Sequence, residues 1–207
     1  STVGCIGLSE SGSPANEDQP MNPVFLCNDY KLSKYQAEQV ALELFGRGLP
    51  VVIVNPSTPV GPRDIKPTPT GQIILDFMNH KMPAYIDTGL NLIDVVDCAR
   101  GHILAEAKGQ PGERYILGNK NMSLKEILLT LEVLTGIKAP RIKMPYLVAY
   151  ISGLACEWVS DSITHQPPAV PLAGVKMAKY FMYFDSSKAV RELGLPQNPV
   201  ENALGKA

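Results

Sequence analysis

Several protein classes are excluded by what this chain of 207 residues lacks. No apolar run reaches the roughly 18–20 residues that a membrane-spanning helix needs, so we expect no membrane span. With 19 basic and 20 acidic residues, the formal net charge is −1, and we expect no nucleic-acid partner. Apolar residues make up 45% and charged residues 19%, a composition typical of a folded protein with a hydrophobic core.

Metal-binding and disulfide patterns are also missing. The sequence has no Cys-x-x-Cys pair and no cluster of histidines, so we assign no metal site and interpret the cysteines as free thiols of a cytoplasmic protein. The first residues lack the basic region and the cleavage site of a signal peptide, which agrees with that location. The scattered residues are Cys5, Cys27, Cys98, Cys156, His80, His102 and His165.

The order of the predicted elements indicates an α/β protein. Residues 1–6 read as the end of a buried strand, and a polar, proline-containing loop follows over 9–23. From Asp29 to Phe45, apolar residues recur every three or four positions, which predicts a helix that ends at Gly46. Residues 49–54 contain four consecutive β-branched residues and predict a strand buried on both faces. This succession is typical of a parallel sheet with helical crossovers.

The remaining patterns predict more helices than strands. Proline density over 55–62 argues against regular structure. A helix is predicted over 94–108, with an apolar face formed by Val95, Val96, Ala99, Ile103, Leu104 and Ala107. Ser123 and Glu126 form a capping-box pattern that begins a helix ending at Gly136. The other predicted elements are helices over 71–80, 145–159 and 186–193 and a strand over 113–117.

The pattern that carries chemistry is Tyr30-Lys31-Leu32-Ser33-Lys34. On a helix, Tyr30 and Lys34 share one face because they are four residues apart. A free tyrosine has a pKa near 10, and a nearby ammonium lowers the pKa of a phenol, which makes it a better proton donor and acceptor at neutral pH. This spacing alone is also common on solvated helix faces, so the neighbouring segments must show whether the pair is catalytic. Ser1 and Thr2 precede the helix, and a strand ending in Asn55 and Pro56 follows it.

Several motifs in the same order resemble the extended short-chain dehydrogenase/reductase (NAD-dependent epimerase/dehydratase) family, and within it the hopanoid-associated sugar epimerases and the dihydroflavonol-reductase-like proteins. They cover nearly the whole chain: STVGCIG, YKLSK, VIVNPSTPVGP, NLIDVVDCARGHILA, RYILGNKNMSLKEI and DSSKAVRELGL. The resemblance implies the C-terminal part of a Rossmann-like, doubly wound parallel sheet with a smaller, mostly helical substrate-binding lobe. The expected division is residues 1–60 for the NAD(P)-binding part and 61–207 mainly for the substrate lobe, interleaved with the last Rossmann elements.

Carried over by position, the resemblance implies a catalytic group of Thr2, Tyr30 and Lys34. Thr2 would hydrogen-bond the reacting substrate oxygen, and a register shift of one residue would exchange it with Ser1. Tyr30 would exchange the proton of that oxygen, and Lys34 would bind the nicotinamide ribose. The implied cofactor is NAD or NADP. Its implied binding residues are Tyr30, Lys34, Pro56 and Ser57, and the implied substrate-binding residues are Asn28, Thr58 and Arg63.

Structural interpretations compete with some of these roles. Residues 56–58 can also form an ordinary proline turn, and Arg63, with a fork suited to a sugar phosphate, can equally be a solvated loop residue. Asp94 and Asp97 lie in the first turn of a predicted helix, where acidic residues suit the helix dipole, so we favour a structural use for both.

The glycine-rich dinucleotide motif GxxGxxG is absent from this sequence. We therefore expect a C-terminal fragment that lacks the pyrophosphate cradle and is inactive alone. For the intact protein, the resemblance implies hydride transfer at a carbonyl or secondary alcohol of a sugar-like small molecule, such as a nucleotide sugar, by an epimerase. The alternatives are an NADPH-dependent ketone reductase of the dihydroflavonol 4-reductase type and a non-catalytic NAD(P)-binding protein. A homodimer through the Tyr30 helix is also expected.

Overall fold

The computed structural model describes residues 1–9, 13–22, 26, 29–160, 162 and 172–207, without the side chains of Val159 and Ala173. Within these residues the helices are a 3₁₀ helix (Val3–Cys5), α1 (Asp29–Gly46), α2 (Pro69–Met78), α3 (Val95–Lys108), α4 (Leu124–Thr135), α5 (Tyr146–Val159), α6 (Leu172–Met177), α7 (Ser187–Leu193) and α8 (Val200–Leu204). The strands are β1 (Ile53–Pro56), β2 (Thr58–Val60), β3 (Gly89–Asp94), β4 (Arg114–Leu117), β5 (Lys120–Ser123) and β6 (Phe181–Met182).

The chain forms two compact units. The first contains residues 1–73, 91–121 and 182–207, and the second contains residues 74–90 and 122–181. The assignment of 1–60 to cofactor binding and of 61–207 mainly to substrate binding stays a prediction.

The first unit contains the parallel strand pairs. β1 pairs with β4, with Ile53 opposite Arg114 and Pro56 opposite Leu117. β2 pairs with β3 in parallel over Thr58–Val60. Apolar side chains of these strands and of α3 and α7 form one buried cluster: Ile93, Cys98, Ala105, Tyr115, Leu117, Ala189, Leu193 and Leu195. Parallel strands connected through helices confirm the predicted α/β class.

The second unit is mostly helical. α4 begins with the predicted capping box, in which the Ser123 and Glu126 side chains each bond the other's backbone N–H, and it ends at Gly136 in the left-handed conformation. α5 packs against α6, where Gly153 lies close to Leu172. No helix in the described part of the chain is long and apolar enough to cross a membrane.

Two local predictions about the strands are wrong. Residues 3–5 form a 3₁₀ helix rather than a strand end, because the Thr2 side chain accepts a hydrogen bond from the Gly4 N–H and turns the backbone. Residues 58–60 form β2 although Pro59 lacks an N–H, because β2 is an edge strand, where a proline is tolerated. The sequence patterns also missed β3, β5, β6 and α6.

α3 has the predicted bounds but a different buried face. Of the predicted apolar face, Val95 and Leu104 are partly buried, and Val96, Ala99, Ile103 and Ala107 are exposed. The fully buried residues of the helix are instead Asp97, Cys98, Gly101 and Ala105. A Cβ atom on Gly101 would lie 2.8 Å from Leu195 Cδ1 and 2.9 Å from Leu117 Cδ2, so glycine lets the helix approach the core closely. The Asp97 carboxylate accepts hydrogen bonds from Asn198 N and Nδ2 at 2.9 and 2.7 Å. Close approach and polar bonds thus set the rotation of α3.

The loop over 13–22 crosses β4, with the buried Glu17 at its centre. Glu17 Oε1 accepts a hydrogen bond from the Ile116 N–H at 2.8 Å, and the Arg114 side chain donates to the Glu17 carbonyl oxygen. A Cβ on Gly7 would collide with the Pro20 carbonyl oxygen at 1.9 Å, so only glycine lets this loop pass. Burial raises the pKa of Glu17, and the Ile116 N–H opposes this rise in part.

We predict that Glu17→Gln changes the free energy of unfolding more favourably at neutral pH than in acid. A glutamate whose pKa is raised in the folded state stabilises fully below its unfolded pKa, and this contribution is lost as pH rises through the folded pKa. The amide keeps an oxygen for the Ile116 N–H but carries no charge to bury. Denaturant unfolding of both proteins from mildly acidic to neutral pH measures the difference, with Asp18→Asn as an exposed charge-removing control. A difference that stays constant with pH would contradict the prediction.

We also predict that Ser123→Ala costs about 1 kcal/mol of stability, because it removes a side-chain cap at the start of α4. Ser186→Ala is the matched control, since Ser186 occupies the N-cap position of α7 without a side-chain capping bond. The control should lose less stability than Ser123→Ala in the same denaturant titration. Equal losses would show that the box does not stabilise α4.

Candidate active site

α1 carries Tyr30 and Lys34 in its first turns, as the spacing predicts. The Lys34 Nζ atom lies over the Tyr30 ring, 5.7 Å from its centroid. Tyr30 is 60% exposed and Lys34 is exposed as well. Both side chains are therefore accessible to a ligand and are not buried in the core.

Thr2 lies at the N-terminal end of the 3₁₀ helix, which packs against α1. A Cβ atom on Gly4 would lie 3.5 Å from Lys31 Cγ, so this short helix sits close to the first turn of α1. The Thr2 hydroxyl oxygen accepts a hydrogen bond from the Gly4 N–H at 3.3 Å, and the side chain is half-buried. The neighbouring Ser1 hydroxyl donates to the Glu38 carboxylate. The two hydroxyls thus have different environments, with Ser1 tied to α1 and Thr2 at the turn.

The end of β1 lies next to this segment. Asn55 is fully buried, and its Nδ2 atom donates to the Thr2 carbonyl oxygen at 3.0 Å. The Ser57 N–H donates to the Leu117 carbonyl oxygen at 3.0 Å and extends the ladder with β4. Residues 56–58 therefore join two strands and do not form an ordinary proline turn.

Two buried polar atoms at this strand end have no hydrogen-bond partner among the described residues, namely Asn55 Oδ1 and Ser57 Oγ. Buried polar atoms are nearly always paired in folded proteins. Ligands of parallel α/β sheets bind beyond the carboxyl ends of the strands, so these two unpaired atoms lie where a ligand site is expected.

The three predicted substrate-binding residues have different outcomes. Thr58 begins β2 opposite Leu92 and is half-buried near the strand end. Arg63 is exposed in the loop after β2, in a left-handed backbone conformation with φ of 74°. Asn28 lies outside the described residues.

Glu38 and Arg114 are part of the site's framework that sequence reasoning missed. Glu38 is the buried residue of α1, and its carboxylate accepts from Asn55 Nδ2 at 2.9 Å and from Arg114 Nη1 at 3.2 Å. In the sequence Glu38 follows Lys34 by four residues. Such a Lys–Glu pair usually lies on a solvated helix face, so the sequence pattern did not predict that Glu38 is buried.

Other ionisable groups near these elements have structural contacts. The Asp94 side chain caps α3 by accepting from the Val96 N–H at 2.7 Å. Burial raises the pKa of the Cys5 thiol and that of the Cys98 thiol, the latter to about 11, so neither is a thiolate nucleophile at neutral pH. Cys5, Cys98 and Cys156 are free thiols, and the described residues contain no group of histidine, cysteine and acidic side chains suited to a metal ion.

The chain is similar in sequence and in fold to several known proteins. Over its whole length the chain is 48% identical to the "Putative dihydroflavonol 4-reductase" of Synechocystis and covers 61% of that protein. The crystal structure of gox2253 is 44% identical with a TM-score of 0.83, and the match covers all of this chain and 63% of the other. A nucleoside-diphosphate-sugar epimerase from Pseudomonas aeruginosa is 27% identical with a TM-score of 0.80 and the same coverage.

The chain thus spans a little over 60% of the length of these relatives. The fold is Rossmann-like, as in more distantly related solved structures. Three of those structures contain NAD or NADPH. Residues 1–118 match the family described as "NAD dependent epimerase/dehydratase family". This match includes Thr2, Tyr30, Lys34 and the strand end at Ser57, and more than half of the chain. The chain belongs to the NAD-dependent epimerase/dehydratase family, whose cofactor is NAD or NADP.

Proposed function

We propose that the intact protein transfers hydride between NAD(P) and a carbonyl or secondary alcohol carbon, in the manner of a sugar epimerase. The observation that carries this proposal is the accessible Tyr30–Lys34 pair, held on α1 beside the Thr2 segment and the end of β1. A phenol next to an ammonium is suited to exchanging a proton with a substrate oxygen.

Each group has one role in this proposal. Tyr30 accepts the proton of the substrate hydroxyl when the carbinol carbon is oxidised, and returns it on reduction. Thr2 hydrogen-bonds the same oxygen and orients it toward Tyr30. Lys34 holds the ribose, and its ammonium lies over the Tyr30 ring. Asn28, Thr58 and Arg63 stay predicted substrate contacts.

The residues present fit the nicotinamide end of the cofactor. Pro56 and Ser57 stand at the end of β1, where the unsatisfied Ser57 Oγ and Asn55 Oδ1 atoms provide polar partners. When bound, NAD(P) supplies the one chemical capacity that no side chain has, which is to accept and return a hydride. The chain's own contribution is to bind, to orient the substrate oxygen and to move its proton.

An epimerase and a reductase would use the same proton-handling residues. The sugar-epimerase name of the Pseudomonas neighbour supports the first reaction, and the dihydroflavonol 4-reductase name of the Synechocystis relative supports the second. Incubating the intact protein with nucleotide sugars and with ketones separates them. Stoichiometric loss of reduced-nicotinamide absorbance would overturn the epimerase assignment, and isomer formation without such loss would overturn the reductase assignment.

We predict that Tyr30→Phe lowers kcat by about 100-fold or more, because it removes the group that exchanges the substrate proton. The variant should still bind NAD(P)H, since the ring and Lys34 remain. Turnover and cofactor fluorescence titration measure the two effects in the intact protein.

Tyr35→Phe is the matched control on the same helix, where Tyr35 lines a surface cavity with Glu17 and Gln39 away from Lys34. It should keep wild-type turnover. If Tyr30→Phe also keeps wild-type turnover, Tyr30 is not the acid/base residue. If the wild-type protein binds NAD(P)H but turns over no substrate of either class, a non-catalytic NAD(P)-binding protein is the better description.

A further inference from the structure

Glu38 is a buried charged side chain that the proposed reaction does not use. It lies on α1, eight residues after Tyr30 and four after Lys34, and none of its side-chain surface is exposed. The neighbouring apolar residue Val40 is 54% exposed, so α1 buries a carboxylate while leaving an apolar side chain in solvent. Burying a carboxylate costs several kcal/mol unless donors surround it, so this arrangement needs a specific set of partners.

The donors to Glu38 come from three separate segments. The Ser1 hydroxyl donates to Oε2, and Asn55 Nδ2 donates to the same oxygen at 2.9 Å. Arg114 Nη1, at the start of β4, donates to Oε1 at 3.2 Å. One carboxylate therefore links α1 to the chain before the 3₁₀ helix, to the end of β1 and to β4.

These partners are next to the proposed reacting groups without being among them. Ser1 precedes Thr2, and Asn55 Nδ2 bonds the Thr2 carbonyl oxygen at 3.0 Å as well as Glu38. Asn55 also directly precedes Pro56 and Ser57. The strand end is thus bonded directly to a side chain of the helix that carries Tyr30 and Lys34, and the Thr2 carbonyl oxygen is linked to that side chain through Asn55.

We infer that Glu38 is a positioning residue, whose buried carboxylate sets the Thr2 segment and the Asn55–Ser57 strand end against the helix face of Tyr30 and Lys34. This inference rests on the proposed function for its catalytic consequence, but its structural consequence can be measured independently. A purely structural role would change the stability of the protein and leave the turnover of the folded molecules unaltered.

The test compares Glu38→Gln with wild type in the intact protein. The amide keeps the size of the side chain but places an N–H₂ group against the donors Ser1, Asn55 and Arg114. We expect kcat to fall about 10-fold or more, and by a larger factor than KM or NAD(P)H affinity changes, since a displacement near 1 Å suffices for losses of that size. Hydrogen exchange should become faster in peptides from residues 1–9 and 53–57 and stay unchanged in α4.

Glu43→Gln is the matched control, because it removes a carboxylate from an exposed position of the same helix. It should keep wild-type kcat and exchange. If Glu38→Gln does not fold, Arg114→Lys, which keeps the charge and loses the guanidinium fork, should show the same changes to a smaller degree.

The two proposals fail in different ways. Wild-type exchange and wild-type kcat in folded Glu38→Gln, or in Arg114→Lys where Glu38→Gln does not fold, would overturn the positioning role. Faster exchange at residues 1–9 and 53–57 in a protein whose wild type catalyses no hydride transfer would support the positioning role and overturn the proposed function.

Discussion

The first unit depends on one buried carboxylate. Glu38 sits where α1, the Thr2 segment, β1 and β4 meet, and it receives donors from Ser1, Asn55 and Arg114. An ion taken out of water needs such partners because its lost hydration is otherwise uncompensated. Their geometry is directional, unlike apolar packing, so it constrains both the position and the rotation of the helix. Tyr30 and Lys34 lie on the same helix and are exposed to solvent.

The same principle recurs elsewhere in that unit. Asp97 receives two hydrogen bonds from Asn198, Glu17 receives one from the Ile116 N–H, and Asn91 donates to the Phe184 carbonyl oxygen. Each of these buried side chains joins segments far apart in the chain. A buried polar group without its partner costs more than a typical hydrogen bond contributes, so each such pair disfavours alternative arrangements of its segments.

The proposed proton-handling residues do not distinguish an epimerase from a reductase. A phenol beside an ammonium exchanges a proton with a substrate oxygen whether or not the oxidised intermediate is later released. An epimerase returns the hydride to the other face of the same carbon, whereas a reductase consumes NADPH and releases the alcohol. Tyr30, Lys34 and Thr2 serve both proposals, and the substrate contacts distinguish them. The family membership therefore gives the fold and the cofactor, and the reaction and the substrate stay matters for experiment.

Local signals in the sequence determined the helix ends and the spacing of the reactive pair. The capping box at Ser123 and the left-handed glycines Gly136 and Gly194 depend only on residues nearby in the sequence. The helix ends that they form can therefore be predicted without knowledge of the fold. The i, i+4 spacing of Tyr30 and Lys34 likewise follows from helix geometry alone. The family resemblance further supplied Thr2 and the strand end as candidates.

Only the tertiary structure decided which faces are buried and which polar groups meet. The rotation of α3 depends on Asn198 and Leu195, about 100 positions away, and the burial of Glu38 depends on Asn55 and Arg114, 17 and 76 positions away. β2 forms in spite of Pro59 because it has β3 beside it. Hydrophobic periodicity is silent about such partners, since a buried carboxylate has the same sequence pattern as a solvated one. Tyr30 and Lys34 could thus be identified from the chain, whereas the framework that holds them could not.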